Sequence, residues 1–167
     1  YGPNPKYNGR ALHEIAAEEG RPIIDVAIEV ILKDSPSAIN FGMDEADVRF
    51  VMQTPWVATA SDGSVKEASG DMVHPRSFGT FPRKIGFYAL GERAIPLAQA
   101  IRSATGLPAD ILRLPDRGYL RAGCMADIVV FDPETFIDRA TFDDPQQYAS
   151  GVRWLFLAGG RPRHTVA

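Results

Sequence analysis

The 167-residue chain is poor in the features that mark specialised classes of protein. Its single cysteine, Cys124, allows neither an intrachain disulfide nor a thiolate metal cluster. A lone cysteine suits a reducing compartment, so we expect a cytoplasmic protein. No apolar run approaches the length that spans a bilayer. The formal net charge of -3 provides no basic surface for nucleic acid or an anionic membrane, so we expect neither as a partner.

Metal ligands are equally scarce. A catalytic zinc site needs about three protein ligands, mostly histidine, cysteine or carboxylate. The three histidines, His13, His74 and His164, are scattered along the chain, and the cysteine lies beside an apolar strand pattern. These residues cannot build a zinc site by themselves. Ser61 and Ser64 have no histidine at a spacing typical of a catalytic triad, which argues against a serine hydrolase.

What is present is the composition of an ordinary globular protein, with 45% hydrophobic and 23% charged residues and enough length for one core. Residues 1–114 alternate between helical and extended patterns, with a buried helix predicted at 23–32 and short buried strands at 37–41 and 56–60. This alternation is typical of βα units in a parallel sheet. Residues 115–167 contain strand patterns without helices between them, which predicts a small separate β subdomain.

The two strands predicted in residues 1–114 cannot close a barrel, which takes about 250 residues. The chain also opens at Tyr1, with neither an initiator methionine nor a signal-peptide pattern. We therefore expect the C-terminal portion of a larger α/β enzyme, or a partner of the missing portion.

The end of the second predicted strand carries the candidate site. Asp62 is the first charged residue there, and catalytic side chains lie at the C-terminal ends of parallel strands. Gly63 lets the backbone turn sharply, so that the carboxylate can point into a cleft. The same Asp-Gly pair is also common in ordinary turns. A long loop follows, rich in glycine, serine and charge, and it contains His74 and Arg76.

Short segments along nearly the whole chain carry a family resemblance. They are Glu45–Arg49, Pro55–Val57, Ser61–Gly63, His74–Arg83, Leu107–Ala109, Asp116–Gly118, Gly123 and Ala126–Pro133. In this order they resemble the D-aminoacylase, or N-acyl-D-amino-acid deacylase, family of the amidohydrolase superfamily. The block from His74 to Arg83 is specific to that family, whereas the segments after residue 106 resemble the closing signature of the whole superfamily.

The resemblance implies an α/β fold, an eight-stranded βα barrel of the TIM type with a zinc site at its C-terminal face and a small β-sandwich subdomain. Residues 1–114 would supply the C-terminal βα units of the barrel, and residues 115–167 would supply strands of the β subdomain. The family's main zinc ligands come from earlier barrel strands, whose motifs are absent here. The resemblance therefore implies that the isolated chain is inactive and that its partner is the N-terminal half of the same enzyme. Homo-oligomer formation is left open.

The resemblance also implies a reaction and residue roles. The reaction is metal-dependent hydrolysis of the amide bond of an N-acyl-D-amino acid, giving a D-amino acid and a carboxylic acid. Asp62 matches the general acid/base and could also contact the metal. Arg76 matches the residue that binds the substrate α-carboxylate, to which a planar guanidinium is suited. Gly63, Ser64 and His74 match substrate-binding positions, with His74 supporting the loop rather than taking part in catalysis.

Two other functions stay open. A hydantoinase-like or dihydropyrimidinase-like enzyme, which opens a cyclic amide, would use Asp62 but has no use for the block from His74 to Arg83. A non-catalytic, truncated assembly module predicts neither bound metal nor turnover, even when the N-terminal half is added. A free-standing chain of this kind is expected to expose apolar helix faces and strand edges, and hence to dimerise or aggregate.

Overall fold

The computed structural model describes residue 7 and residues 9–34, 38–64 and 73–160. The chain divides into two compact units, Tyr1–Gly42 and Met43–Ala167. The described residues form α-helices, one π-helix and two strands. In chain order these are α1 (Leu12–Glu19), α2 (Ile23–Asp34), α3 (Glu45–Gln53), α4 (Arg76–Arg83), the π-helix (Lys84–Gly91), α5 (Leu97–Ala104), α6 (Gly106–Ile111), β1 (Ile128–Phe131) and β2 (Val152–Phe156).

The first unit is a pair of packed helices. α1 ends at Gly20, whose φ of 63° lies in the left-handed region that favours glycine. The core of this unit joins side chains of both helices: Ile15, Ala16, Val26 and Val30. α2 forms where the sequence predicts it, but the prediction that it is buried on all sides is wrong within this unit. Leu32 is 79% exposed, because α1 covers a single face of α2.

In the second unit, α4 continues directly into the π-helix, so that residues 76–91 form one helical run. The sequence predicts a helix from about Pro82 to Leu90. The helix instead begins after Pro75 and contains Pro82 in its interior. The core of this unit lies between this run, α5 and α3, with partly buried side chains around three buried ones: Ala89, Ile95, Ala100, Met52, Ile85 and Leu97.

The two strands form an antiparallel pair. Ile128 pairs with Phe156 and Val130 with Trp154, and the register shifts by a bulge between Val130 and Phe131. Both strands fall in residues 115–167, where the sequence predicts strands without helices between them. An isolated bridge between Ile137 and Ser150 extends the pairing outside the strands.

The strands predicted at 37–41 and 56–60 do not form. The described part of the first, 38–41, has no regular structure, and the second begins in a turn at Pro55 and Trp56 and continues without strand pairing. Trp56 is 75% exposed, so this segment is not fully buried either. A parallel strand needs a neighbouring strand for its hydrogen bonds, and residues 38–64 and 73–114 provide none. Among the described residues, no helix is both long enough and apolar enough to cross a membrane.

Candidate functional site

The segment that carries Asp62 is held by side-chain and backbone contacts instead of strand pairing. The Thr59 N–H donates to the Ser103 carbonyl oxygen on α5 at 2.7 Å. Asp62 has a φ of 48°, in the left-handed region that aspartate and asparagine adopt more readily than most residues. No strand precedes Asp62 in the described residues, so its position at the end of a barrel strand stays a prediction; here a turned backbone presents its carboxylate.

Gly63 and Ser64 lie against the first turn of α4. The Ser64 N–H donates to Ser77 Oγ at 3.3 Å, and the Gly63 N–H donates to Ser61 Oγ at 3.1 Å. A Cβ on Gly63 would stand 2.8 Å from the Ser77 Cα, a backbone atom that cannot yield by rotating. The sequence points to a glycine for a sharp turn, whereas the structure requires it for close approach to α4.

Arg76 is brought to Asp62 by this contact between the segment and α4. The Arg76 Nη2 lies 3.1 Å from Asp62 Oδ2, and both side chains are exposed. Arg76 is the first residue of α4, and its own N–H donates to His74 Nδ1 at 3.0 Å. The next N–H, of Ser77, donates to the His74 carbonyl at 3.1 Å. Because these amides already have acceptors, the Arg76 guanidinium is better placed than they are to bind an anion.

His74 contacts the start of α4 through its ring nitrogen and its carbonyl, and its role in supporting the loop stays a prediction. Its ring packs edge-on against Phe142, with centroids 5.2 Å apart. Burial lowers the pKa of His74, the positive charge of Arg76 lowers it further, and the charge of Asp62 opposes both. A neutral imidazole is consistent with Nδ1 accepting the Arg76 N–H, because a protonated ring has no acceptor.

The five predicted site residues, Asp62, Gly63, Ser64, His74 and Arg76, therefore lie together around the first turn of α4. Sequence reasoning missed the residues that hold them. Ser77 stands inside the His74–Arg83 block and could have been found there. Phe142, which packs against His74, is distant in sequence, and no signal in the sequence points to it. Lys84 donates to Thr59 Oγ1 in the segment that leads to Asp62, and no motif points to it either.

The arrangement places a carboxylate next to a guanidinium that has further donors. A guanidinium carries five N–H donors in a planar fork, and the contact with Asp62 is made through one terminal nitrogen. Such a fork suits a ligand carboxylate, while the neighbouring Asp62 carboxylate can accept and return a proton.

A complete metal site is not formed by the described residues. They contain no group of three or more histidine, cysteine, aspartate or glutamate side chains that could hold a metal ion. Asp62 could offer one carboxylate, which here faces Arg76. These residues therefore do not fit a zinc site by themselves.

The chain belongs to an enzyme family. It matches the family model described as the Amidohydrolase family over residues 11–166.

Curated relatives within that family are more specific. The chain is 41% identical over 157 residues to the D-aminoacylase of Alcaligenes xylosoxydans xylosoxydans, covering 94% of this chain and 31% of the relative. It is 37% identical over 157 residues to the N-acyl-D-glutamate deacylase of the same organism, again covering 94% of this chain and 31% of the relative. The chain thus spans about a third of the length of the curated relatives that it matches.

Solved structures agree with these relatives. A crystal structure of D-aminoacylase matches with a TM-score of 0.83 at 40% identity, over 94% of this chain and 32% of that one. An N-acyl-D-glutamate deacylase from Bordetella bronchiseptica, in complex with zinc and a phosphonate mimic of the tetrahedral intermediate, matches with a TM-score of 0.83 at 37% identity, over the same shares. The resemblance to the D-aminoacylase family is confirmed, and so is an α/β amidohydrolase fold.

Proposed function

We propose that this chain serves the hydrolysis of N-acyl-D-amino acids to a D-amino acid and a carboxylic acid. The observation that carries the proposal is the 3.1 Å contact between Arg76 and Asp62. It sets a group suited to proton transfer beside a group suited to the free carboxylate of an amino-acid substrate. The names of the relatives, D-aminoacylase and N-acyl-D-glutamate deacylase, support this choice of substrate class.

Each residue has a role that follows from its chemistry. Asp62 takes a proton from the attacking water as the new C–O bond forms, and returns it to the nitrogen as the C–N bond breaks. Arg76 binds the α-carboxylate and so fixes the amide relative to Asp62. Gly63 and Ser64 shape the backbone next to the carboxylate. His74 holds the start of α4 through the Arg76 N–H.

We also propose the finer architecture that the resemblance implies. Residues 1–114 would be the C-terminal βα units of a TIM-type barrel, and residues 115–167 would be strands of its small β-sandwich subdomain. Segment 56–60 would then gain strand partners from the N-terminal half of the enzyme. Residues 57–61 form neither helix nor paired strand here, which leaves them available for such pairing and supports this placement. Homo-oligomer formation and a cytoplasmic location stay predictions.

Zinc is proposed as the cofactor because a solved relative is complexed with it. Since the described residues do not fit a complete zinc site, we propose that its main ligands come from that N-terminal half. No step above depends on a metal contact made by this chain.

The test is release of D-amino acids from a panel of N-acetyl-D-amino acids by the full-length protein and its Asp62→Asn variant. Asparagine suits the left-handed backbone at this position and removes the proton-accepting oxygen. We expect kcat to fall by roughly 10²- to 10⁴-fold, the usual contribution of a general acid/base. The control is Asp47→Asn, an exposed carboxylate on α3, which should leave kcat unchanged. Absence of D-amino acid release from every substrate would contradict the proposal.

A further inference from the structure

We infer that Lys84 is a positioning residue for Asp62, acting through Thr59. This inference rests on the proposed function, because it concerns the residue to which that function assigns proton transfer. The first observation is that Lys84 Nζ donates to Thr59 Oγ1 at 2.5 Å. Thr59 lies in the unpaired segment that leads to Asp62, so this bond reaches the backbone that carries the carboxylate.

Hydrophobic packing does not explain why a lysine is buried at position 84. The residue is only 7% exposed, although it begins a π-helix whose other buried residues are glycine, alanine and tyrosine. Burial lowers the pKa of Lys84. A buried amine costs free energy unless it is hydrogen-bonded, whereas methionine would fill the same length without that cost. The hydrogen bond to Thr59 is therefore what lysine provides at this position and methionine does not.

The helical run that contains Lys84 contacts the chain both before and after Asp62. Lys84 belongs to the same helical run that begins with Arg76 and Ser77. Ser77 holds the residues just after Asp62, through the Ser64 N–H and the close approach of Gly63. Lys84 holds Thr59, before Asp62 in the chain.

A second element fixes the same threonine. Ser103 on α5 accepts the Thr59 N–H at 2.7 Å, and the two hydroxyl oxygens lie 3.4 Å apart. The Thr59 backbone is thus held by α5, while its side chain is held by Lys84. The helical run of residues 76–91 thus contacts the segment on both sides of Asp62, and we infer that these contacts help to fix the distance from Asp62 to Arg76. Loss of the Lys84 contact leaves Thr59 held by α5 alone and lets the carboxylate move.

The experiment compares variants of the full-length protein in two measurements. Lys84→Met and Thr59→Val each remove one partner of the bond at nearly constant side-chain size, and the double variant removes both. Thr59→Ser keeps the hydroxyl and tests rescue by a conservative change. Lys33→Met, which removes an exposed lysine on α2, is the matched control. The readouts are kcat and KM for an N-acetyl-D-amino acid, and amide hydrogen exchange of a peptide spanning residues 57–64.

We expect Lys84→Met to lower kcat by roughly 10- to 100-fold with little change in KM, because displacing a reacting group by about 1 Å costs up to that factor. Thr59→Val should lower kcat at least as much, because it also removes the contact with the Ser103 hydroxyl and leaves the buried Lys84 amine without its acceptor. The double variant should be no slower than Thr59→Val, since the bond between Lys84 and Thr59 is already lost in either single variant. Thr59→Ser should keep most of the rate. Exchange in residues 57–64 should be about tenfold faster in Lys84→Met and unchanged in Lys33→Met.

The outcomes separate this inference from the proposed function. If the wild-type protein hydrolyses the substrate and Lys84→Met retains its kcat, the inference is overturned and the proposed function stands. If the wild-type protein hydrolyses no substrate, the proposed function fails, and the catalytic role inferred for Lys84 fails with it. Unchanged exchange in residues 57–64 overturns the inference whatever the activity.

Discussion

The Arg76 Nη2 and Asp62 Oδ2 atoms lie 3.1 Å apart, and the Asp62 side chain is 86% exposed while that of Arg76 is 43% exposed. Solvent screens an ion pair of this kind strongly, so its contribution to folding is small. Its importance is therefore positional: it sets a carboxylate and a guanidinium side by side at the surface. Two predictions about the pair follow from this difference between folding and function.

Replacing Asp62 should affect activity far more than stability. We expect Asp62→Asn to lower the free energy of unfolding by less than about 1 kcal/mol, the usual upper limit for an exposed ion pair. Asp62→Ala should be less stable than Asp62→Asn, because alanine tolerates the φ of 48° poorly. Urea unfolding measures both variants. A decrease of several kcal/mol in the free energy of unfolding of Asp62→Asn would mean that Asp62 stabilises the fold.

Replacing Arg76 should weaken substrate binding. Lysine keeps the charge but not the planar fork, so Arg76→Lys is expected to raise KM for an N-acetyl-D-amino acid by roughly 10- to 100-fold, the value of a charged hydrogen bond. Arg139→Lys, at an exposed position, is the control. An unchanged KM in Arg76→Lys, with activity on cyclic amides, would favour the hydantoinase-like alternative.

The lowered pKa of His74 predicts a dependence of stability on pH. The folded protein favours the neutral form of His74. As pH falls below the ordinary histidine pKa of 6.5, the unfolded chain therefore binds a proton at this residue before the folded chain does. The contribution of His74 is thus complete above that value and is lost as pH falls towards the lower folded pKa. Proton uptake also removes the Nδ1 acceptor of the Arg76 N–H.

We expect His74→Asn, whose amide oxygen can replace Nδ1, to reduce this loss of unfolding free energy between about pH 7 and pH 5. His13→Asn, which replaces an exposed histidine on α1, is the matched control. Direct titration by NMR should place the His74 pKa below 6.5. A value at or above 6.5 would disprove the assigned neutral ring.

Gly63 is expected to tolerate no side chain. A Cβ there would stand 2.8 Å from the Ser77 Cα, so Gly63→Ala must push the segment away from α4. We expect a loss of about 1 to 3 kcal/mol in unfolding free energy, typical of overpacking, together with reduced kcat. Gly42→Ala is the comparison, since the atoms nearest its Cβ would belong to the Asn40 side chain, at 3.4 Å. Equal stability of the two variants would show that the contact with Ser77 yields easily.

The places where sequence-based prediction failed share a physical cause. Segment 56–60 has the apolar, β-branched pattern of a buried strand, but strand formation depends on a partner that the pattern cannot supply. The helix predicted from about Pro82 to Leu90 instead begins after Pro75, with Pro82 in its interior. In both cases the local pattern is compatible with more than one structure, and contacts distant in sequence select among them.

The sequence by itself determined the features that depend on near neighbours along the chain. α1 ends at Gly20, and Asp44 caps α3 by accepting the Ala46 N–H at 2.7 Å, because helix hydrogen bonds and caps join residues a few positions apart. The motifs around Asp62 and Arg76 were likewise sufficient to identify the family. Only the tertiary structure decided that these two side chains meet, that Gly63 touches α4, and that Lys84 is buried against Thr59. Each of these contacts joins residues from separate segments, so packing in three dimensions, rather than any local preference, brings them together.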